Sequence, residues 1–197
     1  EDPILFDEYE IIHEDLRTLI SRFISSYTRP EEYKALFYHD GKQYAITRKS
    51  ELTELMSSIC DRIFDKTPVI NNEAINKDDP TSMAVNSRNK IVTALLRNEL
   101  EDNLGFTGGG QEVSIMRSTL VRTGILQSDG GLVQLNFDVE KKLANVLNTI
   151  TDFILQAKDE KEACFKDLYD RLIKPEFGFG LRRGLIPIYI AVVFHKY

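Results

Sequence analysis

The chain has no tryptophan, and among its 197 residues there are only two cysteines, three histidines and three methionines. Two thiols cannot form a disulfide framework, and Cys60 and Cys164 each fall on the apolar side of a helical pattern, where a buried thiol is inert. Neither a signal-peptide pattern nor an apolar stretch of transmembrane length occurs, so a cytoplasmic setting is expected. His13, His39 and His195 lie far apart, and none belongs to an HExxH or CxxC spacing that would gather ligands on one zinc ion. Glu73 and Lys77, near Asp78 and Asp79, lack the strand setting that aims nuclease carboxylates at one metal, and read as a solvated charge cluster. No metal, cofactor or catalytic constellation is expected.

Charge of one sign is also scarce where it would matter for nucleic acid. The net charge is −6, and residues 1–80 hold 17 acids and 10 bases, 81–138 hold 6 and 5, and 139–197 hold 8 and 10. A surface of this balance does not attract phosphate non-specifically, which leaves only a local contact open. Glu1 opens the sequence without an initiator methionine, and the apolar run Leu185 to Phe194 reaches Tyr197 without a polar tail. The sequence therefore reads as a piece of a larger protein.

What the chain has is helical periodicity. Ile12, Leu16, Leu19, Ile20, Phe23, Ile24 and Tyr27 recur at three- and four-residue steps and form one stripe, with Glu14, Asp15, Arg17 and Arg22 facing out. Arg29-Pro30 ends that helix. A hairpin follows from Ala35–Tyr38 and Gln43–Ile46 around His39-Asp40-Gly41-Lys42, because Asp-Gly accepts the positive φ angles of a tight turn. Ser50 is placed to cap a helix whose buried stripe would be Leu52, Leu55, Met56, Ile59, Ile63 and Phe64, with Cys60 beside it. From Asp65 to Ser87 the periodicity gives way to turn-forming residues, and this stretch is the candidate hinge, with room for a short helix around Asn71 to Ile75.

Beyond it the pattern predicts a helix from about Asn86 to Leu100, with Ile91, Val92, Leu95 and Leu96 inward and Arg88, Lys90 and Arg97 outward. A glycine break at Gly105–Gly110 separates it from a helix over 111–122, and a second hairpin follows with Ser128-Asp-Gly-Gly131 as its turn. Helix, glycine turn, helix and hairpin is the order of the second half of a winged helix. Two more stripes follow, Val139 to Ala157 and Phe165 to Ile173, and the final helix is apolar on nearly every side. The fold expected is mostly α with two small β-hairpins, a helical bundle plus a winged-helix-like unit. Its parts are an N-terminal helical lobe at 1–80, the winged-helix-like unit at 81–138 and C-terminal helices at 139–197.

Two places suggest contact with an anion. Thr107-Gly108-Gly109-Gly110 precedes a helix start but lacks the Gly-Lys-Ser/Thr of a P-loop, so it is a plain turn or a phosphate contact without a nucleotide grip. Arg117 and Arg122 on the following helix would then face nucleic-acid phosphate. Arg182 and Arg183, set among glycines before the last helix, oppose that helix's dipole and either form a polar collar or meet an anionic partner.

Four strings stand out together: Ile59-Cys-Asp-Arg-Ile-Phe64, Lys66-Thr-Pro-Val-Ile-Asn-Asn-Glu-Ala-Ile-Asn-Lys77, Ser87-Arg-Asn-Lys-Ile91 and Phe179-Gly-Leu-Arg-Arg-Gly-Leu-Ile-Pro187. They resemble regions of large bacterial P-loop ATPases of phage-defence loci, including BREX-type systems, that lie beyond the nucleotide-binding core. The resemblance implies a non-catalytic accessory module that relays ATPase state to DNA or to partner proteins of a defence complex. A protein–protein or assembly scaffold with no nucleic-acid role is the other reading. A continuous basic strip along residues 111–136 would favour the first, and an exposed apolar patch the second.

Overall fold

The apolar periodicity becomes eight α-helices and two antiparallel hairpins among the described residues of the computed structural model, which are 3–129, 132–160 and 163–196. The fold is mostly α. It divides into two compact units, Glu1–Arg62 and Ile63–Tyr197.

In the N-terminal unit, helix α1 (Pro3–Thr28) runs for 26 residues without one buried side chain. The stripe from Ile12 to Tyr27 forms as spaced, yet its members remain 44 to 64% exposed. A one-turn helix α2 (Pro30–Tyr33) follows and ends at Lys34 in the left-handed conformation. Strands β1 (Phe37–His39) and β2 (Lys42–Tyr44) pair as expected, with Asp40 at φ 50° and Gly41 at φ 71° filling a two-residue turn that needs positive φ at both positions. Helix α3 (Lys49–Ile63) departs from expectation twice. It starts one residue before Ser50, and the Glu51 carboxylate of its first turn reaches back to accept from the N–H groups of Thr47 and Arg48, just ahead of the helix, at 2.7 and 3.1 Å. Those two amides hold the Glu51 carboxyl below its ordinary pKa. Its expected stripe is not buried either: Leu52, Leu55, Ile59 and Phe64 are half-covered, while Met56, Ile63 and Cys60 are exposed.

The C-terminal unit holds the core. Helix α4 (Ser82–Leu95) begins earlier than its pattern suggested, because the Thr81 hydroxyl caps it by accepting from the Ala84 N–H at 3.4 Å. It stops at Leu95, which leaves Leu96 exposed. Helix α5 (Gln111–Met116) continues into a wide π-type turn over Arg117–Val121. Strands β3 (Leu126–Asp129) and β4 (Leu132–Leu135) make the second hairpin, while Gly130 and Gly131 of its turn lie outside the described residues. Helices α6 (Lys141–Glu160) and α7 (Phe165–Ile173) bury Leu143, Val146, Leu147, Ile150, Phe153, Leu168 and Leu172 as their periodicity requires. Cys164, expected in the core, is instead the exposed residue that precedes α7.

Helix α8 (Ile186–His195) is the centre, with Ile186, Ile188, Tyr189, Ala191, Val192 and Val193 buried and both α4 and α6 packed against it. Pro187 sits in its first turn, where no intrahelical N–H is needed. At its far end His195 Nδ1 lies 2.8 Å from the Leu95 carbonyl, so Nδ1 carries the proton it donates there. The aliphatic Ile186, Ile188, Val192 and Val193 each contribute roughly 1.5–3 kcal/mol by leaving water.

The stretch expected to hinge is instead stitched into this unit. Ile70 and Ile75 are buried, the Lys66 N–H donates to the Gly178 carbonyl at 3.0 Å, the Gly180 N–H to the Thr67 hydroxyl at 2.9 Å, and the Gly184 N–H to the Lys77 carbonyl at 2.9 Å. Residues 63–80, grouped by sequence with the first lobe, thus fold with the second. Around Asn71 to Ile75 a turn replaces the short helix, with the Asn72 side-chain oxygen accepting from the Ala74 N–H at 3.1 Å.

Candidate functional site

The glycine break is a turn of unusual backbone. Asn103, Leu104 and Gly105 take φ angles of 48°, 56° and 76° in succession, and Gly108 follows at 81°. Leucine in this region costs about 1–2 kcal/mol, and the 2% exposure of Leu104 shows what offsets it: burial. The break aims α5 so that Gly109 and Gly110 line a cleft of about 200 Å³ together with Asn71, Asn72, Arg117 and Arg122. Thr107 and Gly108, the other two members of the run, are exposed and do not line it.

The π-type turn explains how both arginines reach one cleft. The Arg122 N–H donates to the Arg117 carbonyl at 2.8 Å, five residues back rather than four. A wider turn carries two residues five apart closer to the same face than an α-helix would. Below them Ser118 anchors the wall: its hydroxyl donates within the helix to the Ser114 and Ile115 carbonyls at 3.0 and 2.9 Å and accepts from Asn72 Nδ2 at 2.9 Å. Asn72 thus pins the linker to the arginine-bearing helix. Sequence reading saw only a turn-former there; the paired Asn71-Asn72 was the signal.

Electrostatics weaken the site as an anion binder. Among the described residues neither Arg117 nor Arg122 forms an ion pair, so both charges are free. Glu112, however, stands beside Gly110, and its carboxylate is held below its ordinary pKa by its own backbone N–H and then by Lys90, 3.5 Å away. Arg97 of the neighbouring surface is taken by Glu101. No continuous basic strip runs along 111–136, where Arg117 and Arg122 are the only two bases.

Arg182 has found its anion inside the chain. It pairs with Asp78 at 2.7 Å, and the same carboxylate accepts from the Arg183 N–H at 3.3 Å. The Arg183 guanidinium remains near Tyr169, whose phenol is pushed up by burial and drawn down by Arg88 and Arg183. With the Gly180 to Thr67 and Gly184 to Lys77 bonds, residues of the strings 66–77 and 179–187 interlock. At Gly184 the two backbones pack closely, since a Cβ there would overlap the Ile75 carbonyl oxygen.

Among the described residues no three His, Cys, Asp or Glu side chains converge as metal ligands, and no helix is long and apolar enough to cross a membrane. Compared with protein-family models, curated proteins and solved structures, the chain matches none.

Proposed function

We propose that this chain is a non-catalytic assembly module of a larger P-loop ATPase, in which the C-terminal unit is a folded platform and the N-terminal unit is a protein-docking element. One observation carries this reading: the apolar stripe of α1 lies open along 26 residues. An apolar surface of that extent marks an interaction site, because single exposed apolar residues are ordinary and contiguous stripes are not. The ATPase parentage and a place in phage defence rest on the resemblance of the four strings. The interlocking of 66–77 with 179–187 supports treating two of them as one structural unit.

A contact with DNA is the second reading, favoured by the cleft that Gly109, Gly110, Arg117 and Arg122 share. It would be led by phosphate and weak, with at most two neutralised phosphates and a log–log salt slope of about two. A photocrosslinking amino acid placed at Phe23 or at Arg117 in the intact parent protein separates the two. The docking reading expects a discrete, identifiable protein adduct at position 23 and no nucleic-acid adduct at 117. Nucleic acid captured at 117 with nothing at 23 would reverse the order.

A further inference from the structure

We infer that α1 pairs antiparallel with α1 of a second copy of this chain. The inference rests on the docking reading and names its partner. Leu5, Tyr9, Ile12, Leu16, Leu19 and Phe23 alternate spacings of four and three residues over almost three heptads, the seam spacing of a two-helix coiled coil, and the exposed Phe6, Ile20 and Tyr27 widen it along one flank. Exposures along the seam itself run from 52 to 69%. Reversed and centred between Ile12 and Leu16, the seam matches itself: Leu5 meets the other copy's Phe23, Tyr9 its Leu19, and Ile12 its Leu16.

Charge selects the direction. Asp7, Glu8, Glu10, Glu14 and Asp15 fill the first half of α1, and Arg17 and Arg22 the second. In a parallel pair Glu8 and Arg22 flank the other copy's His13 and Tyr27 and gain no carboxylate–guanidinium pair. The antiparallel pair lays each acidic half over the other copy's basic half, with Glu8 and the other copy's Arg22 on the same flank, and leaves one adverse contact, Asp15 against itself. The same acidic face argues against an anionic lipid surface, which selects Lys and Arg on the polar side. Covering both seams buries on the order of 1,500 Å², inside the range of roughly 1,200–2,000 Å² that stable interfaces occupy.

Sedimentation velocity on the full chain should show a concentration-dependent dimer. Leu16→Asp should abolish it while the helical circular dichroism of the C-terminal unit persists. Arg17→Glu with Arg22→Glu, which leaves the seam intact, should weaken dimerisation by about tenfold or more. Direction is read from spin labels at Thr28→Cys, with the exposed Cys60 and Cys164 changed to Ser. The antiparallel pair sets the labels about 40 Å apart along the axis, from 28 residues at 1.5 Å each, and a parallel pair brings them to roughly half that or less. A monomer at every concentration, or a short label distance, overturns the inference. A monomer whose position 23 still crosslinks to an identified different protein overturns it and leaves the docking reading standing.

Discussion

Helices α1 and α8 are both rich in apolar side chains, yet α1 buries none of its 26 residues and α8 buries six of ten. The difference lies in what surrounds them. Two long helices carry complementary stripes to α8, whereas the N-terminal unit offers only a four-residue helix, two three-residue strands and α3, whose own stripe is at best half-covered. Periodicity states which face of a helix is apolar; it does not state whether this chain supplies the cover. A self-sufficient unit and a unit that needs a partner can therefore have the same pattern.

The contrast is broken most sharply at Gly184. Gly184→Ala forces a methyl into the Ile75 carbonyl, where two backbone segments meet, and should destabilise the C-terminal unit by about 3 kcal/mol or more, read as a fall in its melting temperature. A shift within error would mean the two segments separate easily and that the 66–77 and 179–187 strings are not one unit.

An effect of similar size, set against a small one, sharpens it. Leu147→Ala, at 1% exposure, should cost roughly 2–5 kcal/mol in denaturant unfolding of the C-terminal unit, whereas Leu16→Ala should change that transition by about 0.5 kcal/mol or less. Equal costs would erase the distinction between the units.

The smallest concerns a polar group inside the stable unit. The Tyr189 hydroxyl is buried without a hydrogen-bond partner among the described residues, so Tyr189→Phe should be neutral or stabilising by up to about 1 kcal/mol. Burial raises its pKa above the ordinary 10.0, which means the folded state keeps the proton after the unfolded chain has lost it. Its contribution is intact below the ordinary tyrosine range and is lost as pH rises through and beyond it. Tyr189→Phe should flatten the alkaline decline in stability, with a residue left by Tyr169, whose pKa burial also raises.

Much of the fold is legible in the sequence because it depends on local chemistry: Asp40-Gly41 makes the first hairpin, and the stripes of α6 and α8 point where they are buried. The candidate site was legible in part. Gly109, Gly110, Arg117 and Arg122 do share a cleft, but a π-type turn and the Asn72 to Ser118 bond set it, and neither has a periodic signature. Arg182 pairs with a carboxylate 104 residues away, and Asp65 to Ser87, read as a hinge from its turn-formers, is held by bonds to residues a hundred positions later. Long-range partners are what a one-dimensional pattern omits. Cys60 was misread for a related reason, since a thiol beside an apolar stripe is buried only if something covers the stripe, and Cys164 because it precedes α7 and so lies off that helix's buried face.

Hydrogen exchange of the full chain, followed by mass spectrometry at rising protein concentration, tests the central claim most directly. Amides of α6 and α8 should exchange slowly and at a rate independent of concentration, while those of α1 should exchange quickly in dilute solution and become protected as the chain is concentrated. Protection of α1 equal to that of α8 in the most dilute sample, or no gain in protection at any concentration, would contradict the account.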